Sequence, residues 1–248
     1  MNDEERRGWI VKWMRGAGEA WLLDPHLPAA GSDLAADDAT KPTVSDVVAY
    51  GIASAIDHLG SVVDAMMSDY PIRHYAHFTT LRTGLLASSR ATWTLTPDNS
   101  VERQLRSIQV RSQNVDEQRK AMNAISGTHL DAATEAAQLK AVAALDAELA
   151  SLEGHALALG AAKLTFPKDT ISMLRELVDA NSWDGSAILT QWRTGSAAAH
   201  GYHWIDIHRP NPGVFDEMTF NGALYGTFLS VTAATTLYEK RSAAPTSP

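Results

Sequence analysis

Residues 101–123, VERQLRSIQVRSQNVDEQRKAMN, place Val101, Leu105, Ile108, Ser112, Val115, Arg119 and Met122 alternately four and three positions apart. Residues 142–159, VAALDAELASLEGHALAL, repeat the device with Val142, Leu145, Leu149, Leu152, Ala156 and Leu159. Spacing of this kind returns each side chain to one face of an α-helix. Two such stripes joined by a short segment around Ser126-Gly127-Thr128-His129 predict an antiparallel helical hairpin with coiled-coil-style packing. Thr128 and Asp131 are expected to cap its second arm. The hairpin is expected to project, or to serve as a dimer surface.

Outward from this hairpin the helical period persists. Trp9, Trp13, Ala17 and Ala20/Trp21 mark a first amphipathic helix, stopped near Asp24-Pro25. Pro25 to Thr43 reads as a loop or linker. Ser45-Asp46 opens a helix whose stripe is Val48, Ile52, Ala55, Leu59, Val62 and Met66, and Pro71 opens a third carrying Tyr75, Phe78, Leu85 and Trp93 inward. Asp169-Thr170 caps a short helix, and Trp183-Asp184-Gly185 leads into the next. Between Tyr202 and Phe215 the chain is irregular, with room for a short hairpin. The last helix runs from about Thr219 to Lys240. No run of alternating residues is long enough for a sheet. The fold class expected is all-α, an irregular bundle of about eight helices including the long antiparallel hairpin. Its divisions are 1–44 as N-terminal helix and linker, 45–241 as the bundle and 242–248 as a disordered tail.

With 248 residues and 45% hydrophobic content the chain can bury a sizeable core. A net charge of -8 argues against coating nucleic acid non-specifically, though not against a local basic site. Without cysteine, disulfides, thiolate metal sites and cysteine nucleophiles are excluded. The charged start, Met1 to Arg7, is unlike a signal peptide. Met218 to Tyr238 lacks charge, but its threonines, Asn221 and glycines mark a helix at the domain centre rather than a membrane span. A cytoplasmic protein without a membrane association is expected.

Chemistry concentrates near residue 200. In Trp192-Arg193-Thr194-Gly195-Ser196-Ala197-Ala198-Ala199-His200-Gly201-Tyr202-His203-Trp204, Arg193 and His200 are seven positions apart. At about 100° per residue they lie within about 20° of each other on one helix face. The small residues between them would let another helix approach, leaving the guanidinium and the imidazole in a crevice. There an arginine needs an anion, and an imidazole can act as acid or base. The bland alternative is a packed helix end, with His200 facing the last carbonyls. Arg82 shares a face with Phe78, Leu85, Ser89 and Trp93 and, if buried, needs Asp57, Asp64 or a bound anion. Arg90 is expected nearer solvent. His74, His77 and His58 have helix-borne metal spacing, but no Glu-x-x-His pair accompanies them, so surface histidines and no metal or other cofactor are expected. Segment 101–120 sets Arg103, Arg106, Arg111, Arg119 and Lys120 against Glu102, Asp116 and Glu117, and reads as a solvated flank with a slight basic bias.

Two resemblances rest on these residues. Trp192, Arg193, Ser196, Ala199, His200, Gly201 and Trp204 match a Trp-Arg-x-x-Ser-x-x-Ala-His-Gly-x-x-Trp segment. With Leu81-Arg82, Trp93, Pro97 and Arg103, the chain resembles a group of uncharacterised actinobacterial helical proteins, over about residues 45–240. More distantly, Arg193 and His200 resemble the Arg-x4–6-His signature of HEPN-type helical domains, with Thr194 where an Asn, Asp or His is usual. The HEPN resemblance implies metal-independent RNA cleavage of toxin or defence type, often at a homodimer interface. His200 would be the acid/base and Arg193 the phosphate clamp, with Arg82, Ser196 and His203 lining the site. The rival expectation is a non-catalytic bundle that binds a protein partner or a small ligand.

Overall fold

The computed structural model describes residues 2–39, 41–125, 130–207 and 211–244. Among them there is no strand, and the fold is all-α. The helices are α1 (Asp3–Trp13), α2 (Glu19–Leu23), α3 (Asp33–Asp37), α4 (Val44–Met67), α5 (His74–Leu95), α6 (Ser100–Ile125), α7 (Ala132–Ala158), α8 (Thr170–Leu177), α9 (Trp183–His200), α10 (Trp204–Ile207) and α11 (Glu217–Ser242).

The core forms where α4, α5 and α11 meet. The α4 stripe is buried as its period requires, through Val48, Ile52, Ala55, Ile56, Leu59, Val62 and Val63. Facing it, α5 contributes Phe78 and Leu81, and α11 contributes Phe220, Leu224, Phe228, Val231 and Tyr238. Close packing at this density makes each of these positions sensitive to volume. α11, which carries no charge from Met218 to Tyr238, is therefore a central helix of the bundle. No helix among the described residues is long and apolar enough to cross a membrane.

The hairpin is present. α7 packs along α6 through Ile108, Val115, Leu145, Leu152 and Ala156, a small core of its own. Asp131 caps α7 by accepting from Thr134 N at 2.8 Å; Thr128, the other half of the expected cap, lies outside the described residues. Every cation expected on the basic flank of α6 has an acidic partner: Arg103 with Asp37, Arg106 with Glu102, Arg111 with Glu148, Arg119 with Asp116 and Asp146, and Lys120 with Asp116 and Glu117. The slight excess of positive charge is cancelled by pairing.

The start of the chain differs from its reading. A π-helical turn, Met14–Gly18, joins α1 to α2 and shifts the register. The buried stripe is consequently Ile10, Met14 and Trp21, while Trp9 is left 47% exposed against the edge of Phe228. The expected linker is docked. Leu34 is fully buried in the same core as α4, Tyr238 Oη donates to His26 O at 2.5 Å, and Ala29 N donates to Ser242 O at 3.0 Å. Asp37, fully buried, receives Arg103 Nε at 2.6 Å and Nη2 at 3.0 Å, while Arg103 Nη1 donates to Pro97 O and Asp98 O. Residues 3–37 thus share one core with the bundle. At the other end Ser242 is still helical, and the expected tail beyond 244 lies outside the described residues.

Candidate functional site

α9 lies across α5, and the contact determines what its side chains can reach. Its buried stripe is Ile188, Gln191, Thr194, Gly195 and Ala197. Gly195 permits the crossing: a Cβ there would stand 2.6 Å from Arg82 Cβ and 3.0 Å from Phe78 O. Gln191 donates through Nε2 to Thr227 Oγ1 of α11, tying the third side of the crossing. The helix ends at Gly201, whose φ of 68° is left-handed and whose neighbour Tyr202 N bonds Ala197 O at 2.8 Å. A glycine is favoured there because a side chain would strain that conformation.

Arg82 enters the α5–α9 groove from the opposite helix. Its Nε donates to Ser196 Oγ at 2.8 Å, and its guanidinium carbon sits 4.2 Å from the centre of the Trp192 ring. Stacking of this kind contributes about 0.5–2 kcal/mol and leaves the guanidinium edge free to donate. No carboxylate pairs with Arg82 among the described residues. Asp64 is instead bound to Arg15 at 2.5 Å, and Asp57 is exposed. Burial without such a partner lowers the Arg82 pKa from its ordinary value. The local sequence deepens the imbalance: α5 contains no Asp or Glu, and α9 only Asp184 in its first turn, in a chain with 29 acidic residues.

Arg193 and His200 fall outside that groove. Both are exposed, on the flank of α9 next to Ser196. They do not line the crevice expected for them, because Gln191 and Thr194 face inward and Arg193 and His200 face out. His200 is not sealed against the helix end; its ring lies 5.6 Å from that of Tyr202 at an angle of 32°. Arg193 makes no ion pair among the described residues. His203 is exposed, and its carbonyl accepts from Asp206 N and Ile207 N at the start of α10. Tyr202 and Trp204 present large exposed rings beside them. The structure therefore brings Arg82, Ser196 and Trp192 into direct contact, and leaves Arg193, His200 and His203 on the adjoining open surface.

The histidines with metal spacing are engaged singly. His58 Nδ1 bonds Ser54 O at 2.7 Å and His77 Nδ1 lies 2.7 Å from Arg73 N; the His74 side chain lies outside what is described. No group of three potential ligands occurs among the described residues. The short hairpin allowed for between Tyr202 and Phe215 is replaced in part by the helical turn α10, residues 208–210 lying outside the described set.

Sequence reading placed Arg90 nearer solvent, and the structure corrects this. It is half-buried, with Nε enclosed and unbonded and Nη2 donating to Gln113 Oε1 at 2.9 Å. The available signal was the run of small residues Gly51, Ala87 and Ala91 on the facing surfaces of α4 and α5. In comparisons with family models, curated proteins and solved structures, nothing matches this chain.

Proposed function

We propose that the protein handles single-stranded RNA on the α5–α9 face and cleaves it without a metal, as a HEPN-like ribonuclease of toxin or defence type. The observation that carries the reading is an arginine in the α5–α9 groove that no carboxylate neutralises among the described residues. Arg82, stacked on Trp192 and bonded to Ser196, holds a positive charge with no carboxylate partner among the described residues; Arg193 is exposed on the same helix as Trp192 and Ser196, and the exposed rings of Tyr202 and Trp204 follow its end. Cations interleaved with aromatic faces are the chemistry that binds single strands, through phosphate contacts and base stacking.

In the proposed reaction the ribose 2′-oxygen attacks the adjacent phosphorus and the bond to the 5′-oxygen breaks. The products are a 2′,3′-cyclic phosphate and a free 5′-hydroxyl. His200 moves the proton, and Arg193 steadies the charge on the non-bridging oxygens. Exposure of both groups on one chain accords with a site completed in a homodimer, as the HEPN resemblance implies.

Incubating the protein with a labelled RNA in EDTA tests this. Cleavage of RNA but not of DNA of the same sequence is expected, with His200→Ala slower by about 10²-fold or more. Because His200 is exposed, its removal is expected to leave stability within about 0.5 kcal/mol. Intact RNA, or equal cleavage by the variant, sinks the enzymatic reading. One observation favours a second reading, binding without catalysis: among the described residues His200 has only the Tyr202 ring to orient it. RNA that is retained in a salt-dependent way by the wild type and lost by Arg82→Met, but never cut, would select it.

A further inference from the structure

A second under-compensated arginine opens a different site. Arg90 lies two turns beyond Arg82 and about 80° round α5, towards α6. Where α4, α5 and α6 meet, Gly51 lets α4 pack closely on α5: a Cβ there would stand 3.4 Å from Ala87 O and 3.7 Å from Ala91 Cβ. An apolar cavity of about 180 Å³ remains, walled by Val48, Leu86 and Val110 and lined on one side by Arg90. Tyr50 and Asn114 stand at its mouth, exposed, and their polar groups make no hydrogen bond among the described residues.

The state of the guanidinium is the informative part. Its single hydrogen bond is the one to Gln113, its Nε is enclosed with no acceptor, and no carboxylate pairs with it among the described residues. Burial also lowers its pKa from the ordinary value. A charge removed from water without a partner is destabilising, and an apolar residue of similar volume would suit an empty pocket better. Arg103, on α6, shows how this fold neutralises a buried arginine.

We propose that this cavity binds a small monocarboxylate with a single-ring apolar body, its carboxylate on Arg90 and its ring against Val48, Leu86 and Val110. The size fits, since a dry cavity of about 150 Å³ holds benzene and the extra space here accommodates a short acid arm. The charge fits a monoanion, because one guanidinium and no lysine or histidine lines the pocket. A planar carboxylate also matches the guanidinium fork. This inference is independent of the RNA reading, because α9 and the Arg82 groove lie on another face of α5.

Calorimetric titration of the full-length chain with phenylacetate, benzyl alcohol and phenyl phosphate tests it. Saturable binding of one phenylacetate per chain is expected, with benzyl alcohol and phenyl phosphate weaker by about tenfold or more. Arg90→Met is expected to weaken phenylacetate by about tenfold or more while its melting temperature stays level or rises. Ala87→Leu, which fills the cavity and keeps the charge, is expected to abolish binding and to fold as the wild type. No saturable phenylacetate binding at millimolar concentrations overturns the proposal. So does equal affinity for benzyl alcohol, or undiminished binding by either variant. Preference for phenyl phosphate overturns the carboxylate assignment.

Discussion

Arg103 and the pair Arg82 and Arg90 are arginines drawn out of bulk water on neighbouring helices, and the molecule treats them in opposite ways. Arg103 spends four donor contacts on the carboxylate of Asp37 and two backbone carbonyls. Arg82 has a hydroxyl and an indole face, and Arg90 one amide oxygen. The first arrangement neutralises the cation, bonds four of its five N–H donors and clips α3 to α6. The other two leave donors without a carboxylate among the described residues, and Arg90 lines a cavity. The difference separates a structural arginine from arginines available for recognition, without appeal to any relative.

Substitution can break this contrast. The largest effect is expected for Asp37→Ala, which strands a fully buried guanidinium and should cost about 3–5 kcal/mol by urea denaturation. Restoring much of that loss in Asp37→Leu/Arg103→Met would confirm that the stranded charge, rather than lost packing, is responsible. Next comes Gly195→Val, since even a Cβ would collide with Arg82 and the Phe78 carbonyl; about 1–3 kcal/mol is expected from the same measurement. Arg82→Met is expected to change stability by less than about 1 kcal/mol, because no ion pair is broken, while RNA retention falls. A loss as large as that of Asp37→Ala would make Arg82 a structural residue too and erase the comparison.

The smallest effect concerns acid. Ser172 donates to Asp169 through Oγ at 2.6 Å and through N at 3.1 Å, holding its carboxyl below the usual range. The folded pKa is depressed, so its contribution is present above the ordinary carboxylate pKa. It is lost as pH falls through the lowered value. NMR titration of Asp169 should show the depressed midpoint, and Ser172→Ala should raise it.

How much was legible depended on whether a residue's fate was local. The stripe from Val48 to Val62 and the paired stripes of α6 and α7 followed from period alone, because a long apolar face has one way to be buried. The α9 face did not. Beyond Trp192 its residues are all small or polar, so no apolar stripe distinguishes Gln191 and Thr194, which turn in, from Arg193 and His200, which turn out. Pro25 to Thr43 has the composition of a linker, and only Leu34 and Asp37 finding partners elsewhere makes it part of the core. Arg90 was misplaced because the cavity beside it is made by three helices together.

By itself the sequence determined the helices, the hairpin and the acid-poor composition of α5 and α9, since these depend on neighbours within a few turns. Tertiary structure alone decided which arginine meets a carboxylate. Arg103 reaches Asp37 across 66 positions and Arg82 reaches Ser196 across 114. Pairing over such separations is set by how helices cross, and the energy of a charge out of water depends on what the crossing brings to it.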